Sequence, residues 1–261
     1  MSRILRRAVT VVVTAAALAL TGCAAGAESP DPAGDGGTPD NSVSGELTVY
    51  AAASLSAAFD EIGAAFSEAN PDVAFSGVYD GSSTLVTQLL EGAPADVFAS
   101  ADESNMGKLE DAAVDPTLFA SNTLVIAVPA GNPGGVETLA DLADVTSVLC
   151  APEVPCGAAS ATLLSNAGVT VAAASLEQNV TAVLTKVAAD EADAGLVYAT
   201  DVVGRDDVEV IVPDGADDVV NHYPIAALSE ASNPVAAEAF VAFVLSDRGQ
   251  SILSEHGFGA P

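Results

Sequence analysis

Twice in succession this chain runs a short apolar stretch into a serine-bearing turn and then into a helical pattern. Leu47-Thr48-Val49-Tyr50 leads into Ala51-Ala52-Ala53-Ser54-Leu55, and Val73-Ala74-Phe75-Ser76-Gly77-Val78-Tyr79 leads into Asp80-Gly81-Ser82-Ser83-Thr84-Leu85. Strands that hand straight over to helices belong to α/β sheets covered by those helices. The junction also carries chemistry. The first-turn N–H groups of a helix are unpaired and sit at the positive end of its dipole. A hydroxyl there adds one more neutral donor. Two such junctions on neighbouring parallel strands would aim several donors at one point, an anion site built without a positive charge. Taken singly, Ser54 or Ser82 reads more simply as a helix cap.

The alternation continues along the chain. Leu55, Phe59, Ile62 and Phe66 recur at helical spacing, and Leu85, Val86, Leu89 and Leu90 form a second stripe. Asp96-Val97-Phe98-Ala99 reads as a short buried strand. A longer one over 123–128 ends at Pro129-Ala130-Gly131-Asn132-Pro133-Gly134-Gly135. Further strands are predicted at 148–149, 194–198, 208–212 and 224–228. Helices are predicted over 157–166, around Val180, Val183, Leu184 and Val187, and as a closing pair over 234–253. The apolar runs near 123–128 and 222–228 suit a chain leaving one lobe and returning to it. The expected lobes are 46–126 plus 224–261, and 127–223, with ligand in the cleft between them outside the strands' carboxyl ends.

What precedes residue 46 reads as address and tether. Arg3, Arg6 and Arg7 stand before an apolar run from Ala8 to Leu20 that is shorter than the roughly 20 residues of a membrane span. Leu20-Thr21-Gly22-Cys23 then resembles the lipobox of bacterial lipoproteins. Residues 1–22 are therefore expected to be a signal peptide, with Cys23 as the lipid-bearing N-terminus. Residues 23–45, rich in Ala, Gly, Pro, Ser and Asp, carry too little apolar surface to fold and are expected to form a flexible tether.

The chain has 36 Asp and Glu against 7 Lys and Arg. That argues against nucleic acid, whose phosphates need a basic footprint. It does not exclude a small anion, because exposed charges beyond about 8–10 Å are largely screened at ordinary ionic strength. Once the chain is exported, Cys150 and Cys156 read as a disulfide; a metal site is the rival, but two thiols without a nearby His make a poor zinc set. The two histidines, His222 and His256, stand apart, and no Gly-x-Ser-x-Gly elbow, His-Glu-x-x-His or P-loop occurs, which weakens every enzyme reading.

Six segments in fixed order resemble the molybdate-binding receptors of bacterial ABC importers, which are class II periplasmic-type binding proteins. They are Thr48 through Leu55, Gly81 through Leu85, Gly92 through Asp102, Pro152 through Gly157, Asn179-Val180, and Gly195 through Asp201. The resemblance covers nearly all of 46–261. It implies a two-lobed α/β fold, each lobe a mixed, mostly parallel sheet flanked by helices. It further implies that Ser54, Ser82 and Tyr198, with the backbone N–H groups of Cys156 and Val180, hold molybdate or tungstate. Cys156 stands where that family commonly has alanine. No cofactor, catalytic residue or cation ligand is expected, since molybdenum would enter as its oxyanion. The implied partners are an importer permease and, through Cys23, the outer face of the cell membrane; the chain is expected to be a monomer. A receptor for sulfate or another tetrahedral oxyanion, or an anion-sensing lipoprotein, is the alternative, and a secreted hydrolase comes last.

Overall fold

A computed structural model describes residues 43–261; the expected leader, Cys23 and most of the expected tether lie outside the described residues. Among the described residues, ten strands and seven α-helices follow one another. In the first part these are β1 (Gly45–Ala52), α1 (Ser56–Ala69), β2 (Val73–Asp80), α2 (Ser82–Leu90), β3 (Val97–Ala99), α3 (Glu103–Gly107) and β4 (Ala113–Asn122). Next come β5 (Leu124–Pro129), β6 (Ser147–Cys150), α4 (Pro155–Asn166), β7 (Ser175–Glu177), α5 (Val180–Ala188), β8 (Ala194–Tyr198) and β9 (Val208–Ile211). The chain closes with β10 (Asn221–Leu228), α6 (Pro234–Leu245) and α7 (Asp247–Glu255).

The strands form two five-stranded sheets, ordered β2-β1-β3-β10-β4 and β7-β6-β8-β5-β9. Both follow one pattern. Parallel pairing joins β2, β1 and β3 in the first sheet and β7, β6 and β8 in the second. Antiparallel pairing then adds the last two strands of each. Each sheet is thus mixed, with two parallel and two antiparallel pairings. The returning strands β10 and β5 follow crossings between the sheets rather than βαβ units, so nothing forces them parallel.

The expected crossing points at 126/127 and 223/224 fall inside strands. Leu124–Pro129 pairs wholly within the second sheet, and Asn221–Leu228 wholly within the first. The chain therefore changes sheets at Thr123 and again just before Asn221, and Asn122 and Asn221 are register partners there.

The stripes of α1 and α5 bury as their spacing requires, whereas α2 buries Leu85 and Val86, half-buries Leu89 and leaves Leu90 exposed, because it lies on the sheet with a narrower face. Phe59, Ile62 and Phe66 of α1 are buried against the first sheet. Phe59 and Phe66 meet Phe240 of α6 edge-on at 5.9 and 5.3 Å between ring centroids. Burying each such side chain contributes about 1.5–3 kcal/mol. Val180, Val183, Leu184 and Val187 do the same for α5 on the second sheet. Among the described residues no helix is long and apolar enough to cross a membrane.

Candidate functional site

The register of β1 and β2 brings Ala52 opposite Asp80, so both strands deliver their following turns to the same sheet edge. Ser54 lies in a single 3-10 turn, Ala53–Leu55, that opens α1, and Ser82 is the first residue of α2. Neither hydroxyl caps its helix. Ser82 Oγ instead accepts from the Ala101 N–H at 3.0 Å, and Ser54 Oγ lies 3.0 Å from the Tyr223 hydroxyl. A serine that accepts a bond from behind keeps its own proton to donate ahead.

The second sheet supplies the facing wall. Cys156 is the second residue of α4, behind Pro155, and Val180 is the first residue of α5. N–H groups in a helix's first turn have no acceptor within the helix. The loop before α4 is tied by a disulfide between Cys150 and Cys156, whose Cα atoms are 5.7 Å apart. Asn179 caps α5, accepting from the Ala182 N–H at 2.9 Å. Tyr198 ends β8, with its ring buried and its hydroxyl buried without a hydrogen-bond partner. Burial, helped by the neighbouring Tyr223 hydroxyl and then by the carboxylates of Asp201 and Asp102, pushes its phenol well above the ordinary range, so it remains a neutral O–H donor.

Ser54, Ser82, Cys156, Val180 and Tyr198 line one cavity between the two sheets. Its volume is only about 10 Å³, and part of it opens to solvent. That is room for one small ion and not for a sugar, nucleotide or peptide. Among the described residues, no charged side chain lines it. The four helices that begin around it, α1, α2, α4 and α5, carry no acid in their first turns, although the chain has 36 acids. Neutral donors and helix dipoles together favour an anion held by hydrogen bonds alone.

A family model for bacterial extracellular solute-binding proteins matches residues 47–259. This chain belongs to that family. Its relatives include the molybdate-binding protein ModA of Mycobacterium tuberculosis (strain H37Rv), 44% identical over 222 residues that cover 82% of this chain and 85% of that protein. Among solved structures, the Azotobacter vinelandii periplasmic molybdate-binding protein matches with a TM-score of 0.70 at 20% identity, over 82% of this chain and 99% of that one. The sulfate-binding protein SubI of M. tuberculosis matches with a TM-score of 0.65 at 18% identity, over 82% and 86%. At such identities the likeness is one of fold. A fold shared by molybdate and sulfate binders leaves the choice of anion to the site.

Three further features of this solute-binding protein's site come from tertiary contacts, the first of them, an Asp80 turned away from the cavity, being what a donor-only anion site requires. Asp80, beside the second serine turn, does not line the cavity. Its Oδ1 accepts from the Gly81 N–H at 2.7 Å and from Asn179 Nδ2 at 2.8 Å, a link from the first sheet to the second. Gly81 packs so closely that a Cβ there would lie 2.1 Å from the Gln178 carbonyl oxygen. Tyr223, buried beneath Ser54, is the third. Its partners Ser54 and Asn122 lie 169 and 101 residues away along the chain. The histidines stay outside the cavity: His256 Nε2 meets Glu61 at 2.9 Å, and His222 Nδ1 is buried without a partner.

Proposed function

We propose that this chain is an extracytoplasmic receptor that captures molybdate, and tungstate with it, for an ABC importer. Five residues hold the oxyanion: Ser54, Ser82 and Tyr198 through hydroxyls, and Cys156 and Val180 through backbone N–H groups. The observation that carries the reading is the buried, unpartnered Tyr198 hydroxyl facing a cavity without a charged side chain. The 44% identity to a molybdate-binding protein supports the choice of anion. The receptor works as a monomer with each lobe built on one sheet, it needs no cofactor, and it is tied to the membrane by lipid on Cys23.

The chemistry agrees. Molybdate at neutral pH is a tetrahedral dianion with acceptors only, so a pocket of donors leaves nothing unpaired. Hydrogen bonds to a charged group contribute about 1.5–3 kcal/mol each. Five to seven of them reach the roughly −8 kcal/mol of micromolar binding after ordering costs. Phosphate keeps a proton near neutral pH and is rejected because that proton finds no acceptor. Sulfate, with shorter bonds, fits such a shell loosely.

Calorimetry with molybdate, tungstate, sulfate and phosphate tests the proposal. The expected result is near one anion per chain, with molybdate and tungstate similar and sulfate far weaker. Sulfate binding tighter than molybdate would overturn it.

A further inference from the structure

We infer that Tyr223, backed by Asn122, is a positioning residue that fixes Ser54 as a donor and thereby selects fully deprotonated oxyanions. The inference rests on the oxyanion reading of the cavity.

Tyr223 is fully buried, so its phenol proton needs an acceptor within the protein. Two groups make hydrogen bonds to its oxygen, Ser54 Oγ at 3.0 Å and Asn122 Nδ2 at 3.4 Å; the neighbouring Tyr198 hydroxyl makes none by distance and angle. The amide nitrogen only donates. The orientation of that amide is set from the other side, because Asn122 Oδ1 accepts from the Thr123 N–H at 3.0 Å and Nδ2 also donates to Thr200 Oγ1 at 2.8 Å. The phenol proton is therefore given to Ser54 Oγ. The proton of Ser54 is left to point into the cavity.

Hydrogen-bond polarity thus runs one way, from Asn122 to Tyr223 to Ser54 to the bound anion. Burial raises the Tyr223 phenol above its ordinary range, so the chain does not lose its proton. The ring cannot swing aside, since it packs edge-on against Phe119, Tyr198 and Phe258 with centroids 6.3, 6.1 and 5.5 Å away. Ser82 is committed in the same sense by a different device. Its oxygen accepts from the Ala101 backbone N–H, which cannot reverse its role.

A serine left free can rotate and accept a proton as easily as donate one. With both serines backed, an anion that carries a proton meets only donors on this wall. The phenol of Tyr223 thus acts on selectivity without touching the ligand.

The test compares wild type with Tyr223→Phe, which keeps the ring, by measuring molybdate affinity and the phosphate needed to displace molybdate at neutral pH. The variant should bind molybdate about 3- to 10-fold more weakly. Phosphate should displace molybdate from it at about tenfold lower concentration relative to molybdate. In a Ser54→Ala background the same change should leave that ratio unmoved, because its effect passes through Ser54. A purely structural role would lower the melting temperature and leave the ratio at its wild-type value, and that result overturns the inference. Should Tyr223→Phe fail to fold, Asn122→Ala frees the phenol to accept from Ser54 and should lower the ratio in the same direction; an unchanged ratio there overturns the inference equally. Wild-type protein that binds no molybdate would instead overturn the oxyanion reading itself.

Discussion

Replacing Ser82 by alanine separates two roles that one hydroxyl performs at once. Ser82 is 1% exposed and its Oγ accepts from the Ala101 N–H, which is itself buried. Removing the oxygen leaves that N–H without a partner, a loss of about 1–3 kcal/mol of stability. It also removes a donor aimed at a charged ligand, about 1.5–3 kcal/mol of binding, or a roughly 10- to 150-fold weaker Kd. A helix cap would behave otherwise: about 1 kcal/mol of stability lost and affinity unchanged. Calorimetric titration with molybdate reads the loss of binding, and urea unfolding of the ligand-free protein reads the loss of stability. An affinity within twofold of wild type would refute the reasoning, whatever happened to stability. Loss of affinity with unchanged stability would mean that the bond to Ala101 carries no net weight.

Other perturbations follow from the same geometry. Gly81 has ordinary negative φ (−59°), so Gly81→Ala strains no backbone, yet its Cβ would collide with the Gln178 carbonyl. Affinity should fall by about 100-fold, roughly 2.7 kcal/mol, with little change in unfolding midpoint, and wild-type affinity would show that the contact is dispensable. Intact mass under non-reducing conditions should show Cys150 and Cys156 two protons lighter than the reduced pair. Cys150→Ala with Cys156→Ala should lose about 2 kcal/mol of stability and much less affinity, because the backbone N–H at 156 remains; the reverse ordering would refute this. Burial raises Asp201 from 3.8 to about 7, even though it accepts the Tyr198 N–H at 2.9 Å. The folded state therefore binds an extra proton between about pH 4 and 7, and this group's contribution to stability falls as pH rises through that window. Melting temperature should decline from pH 5 to 8, and Asp201→Asn should flatten the decline; a parallel profile would exclude Asp201. Asp141, Glu177 and Asp207 are held below the ordinary carboxylate range by hydrogen bonds, so they act only at more acidic pH.

Periodic elements were legible and unperiodic ones were not. Phe59, Ile62 and Phe66 announce α1 because its buried face repeats every turn. The ten-residue β4 gives no such signal. It is an edge strand with Val114, Asp115, Pro116 and Thr117 exposed, Asp115 at φ 43° and register shifts against β10. An edge strand pairs on one side only and tolerates proline, so it needs neither alternation nor apolar runs. The three-residue β7, with its half-exposed and exposed side chains, is silent for a similar reason. The crossing points were misplaced by a few residues because the apolar run of β5 looks alike on both sides of position 126. Ser54 and Ser82 are recognisable because each sits at a strand-to-helix junction, which sequence marks, whereas Cys156, Val180 and Tyr198 stand out only through the resemblance of whole segments. Tyr223 and Asn122 reach Ser54 only through pairing of β10 with β4 and β3, and no local pattern encodes that.

A charge-free cavity wall inside so acidic a chain sets how its ligand arrives as well as how it stays. A dianion approaching a protein of formal charge −29 is repelled at long range, and no lysine or arginine in the wall draws it in. Added salt screens that repulsion over a Debye length of about 10 Å at 0.1 M, while hydrogen bonds to an anion seated between the sheets feel little of it. The association rate should therefore rise with ionic strength and the dissociation rate should hardly move. A pocket that captured its anion with fixed positive charge would show the opposite trend, so this receptor is suited to collecting its ligand from salty water.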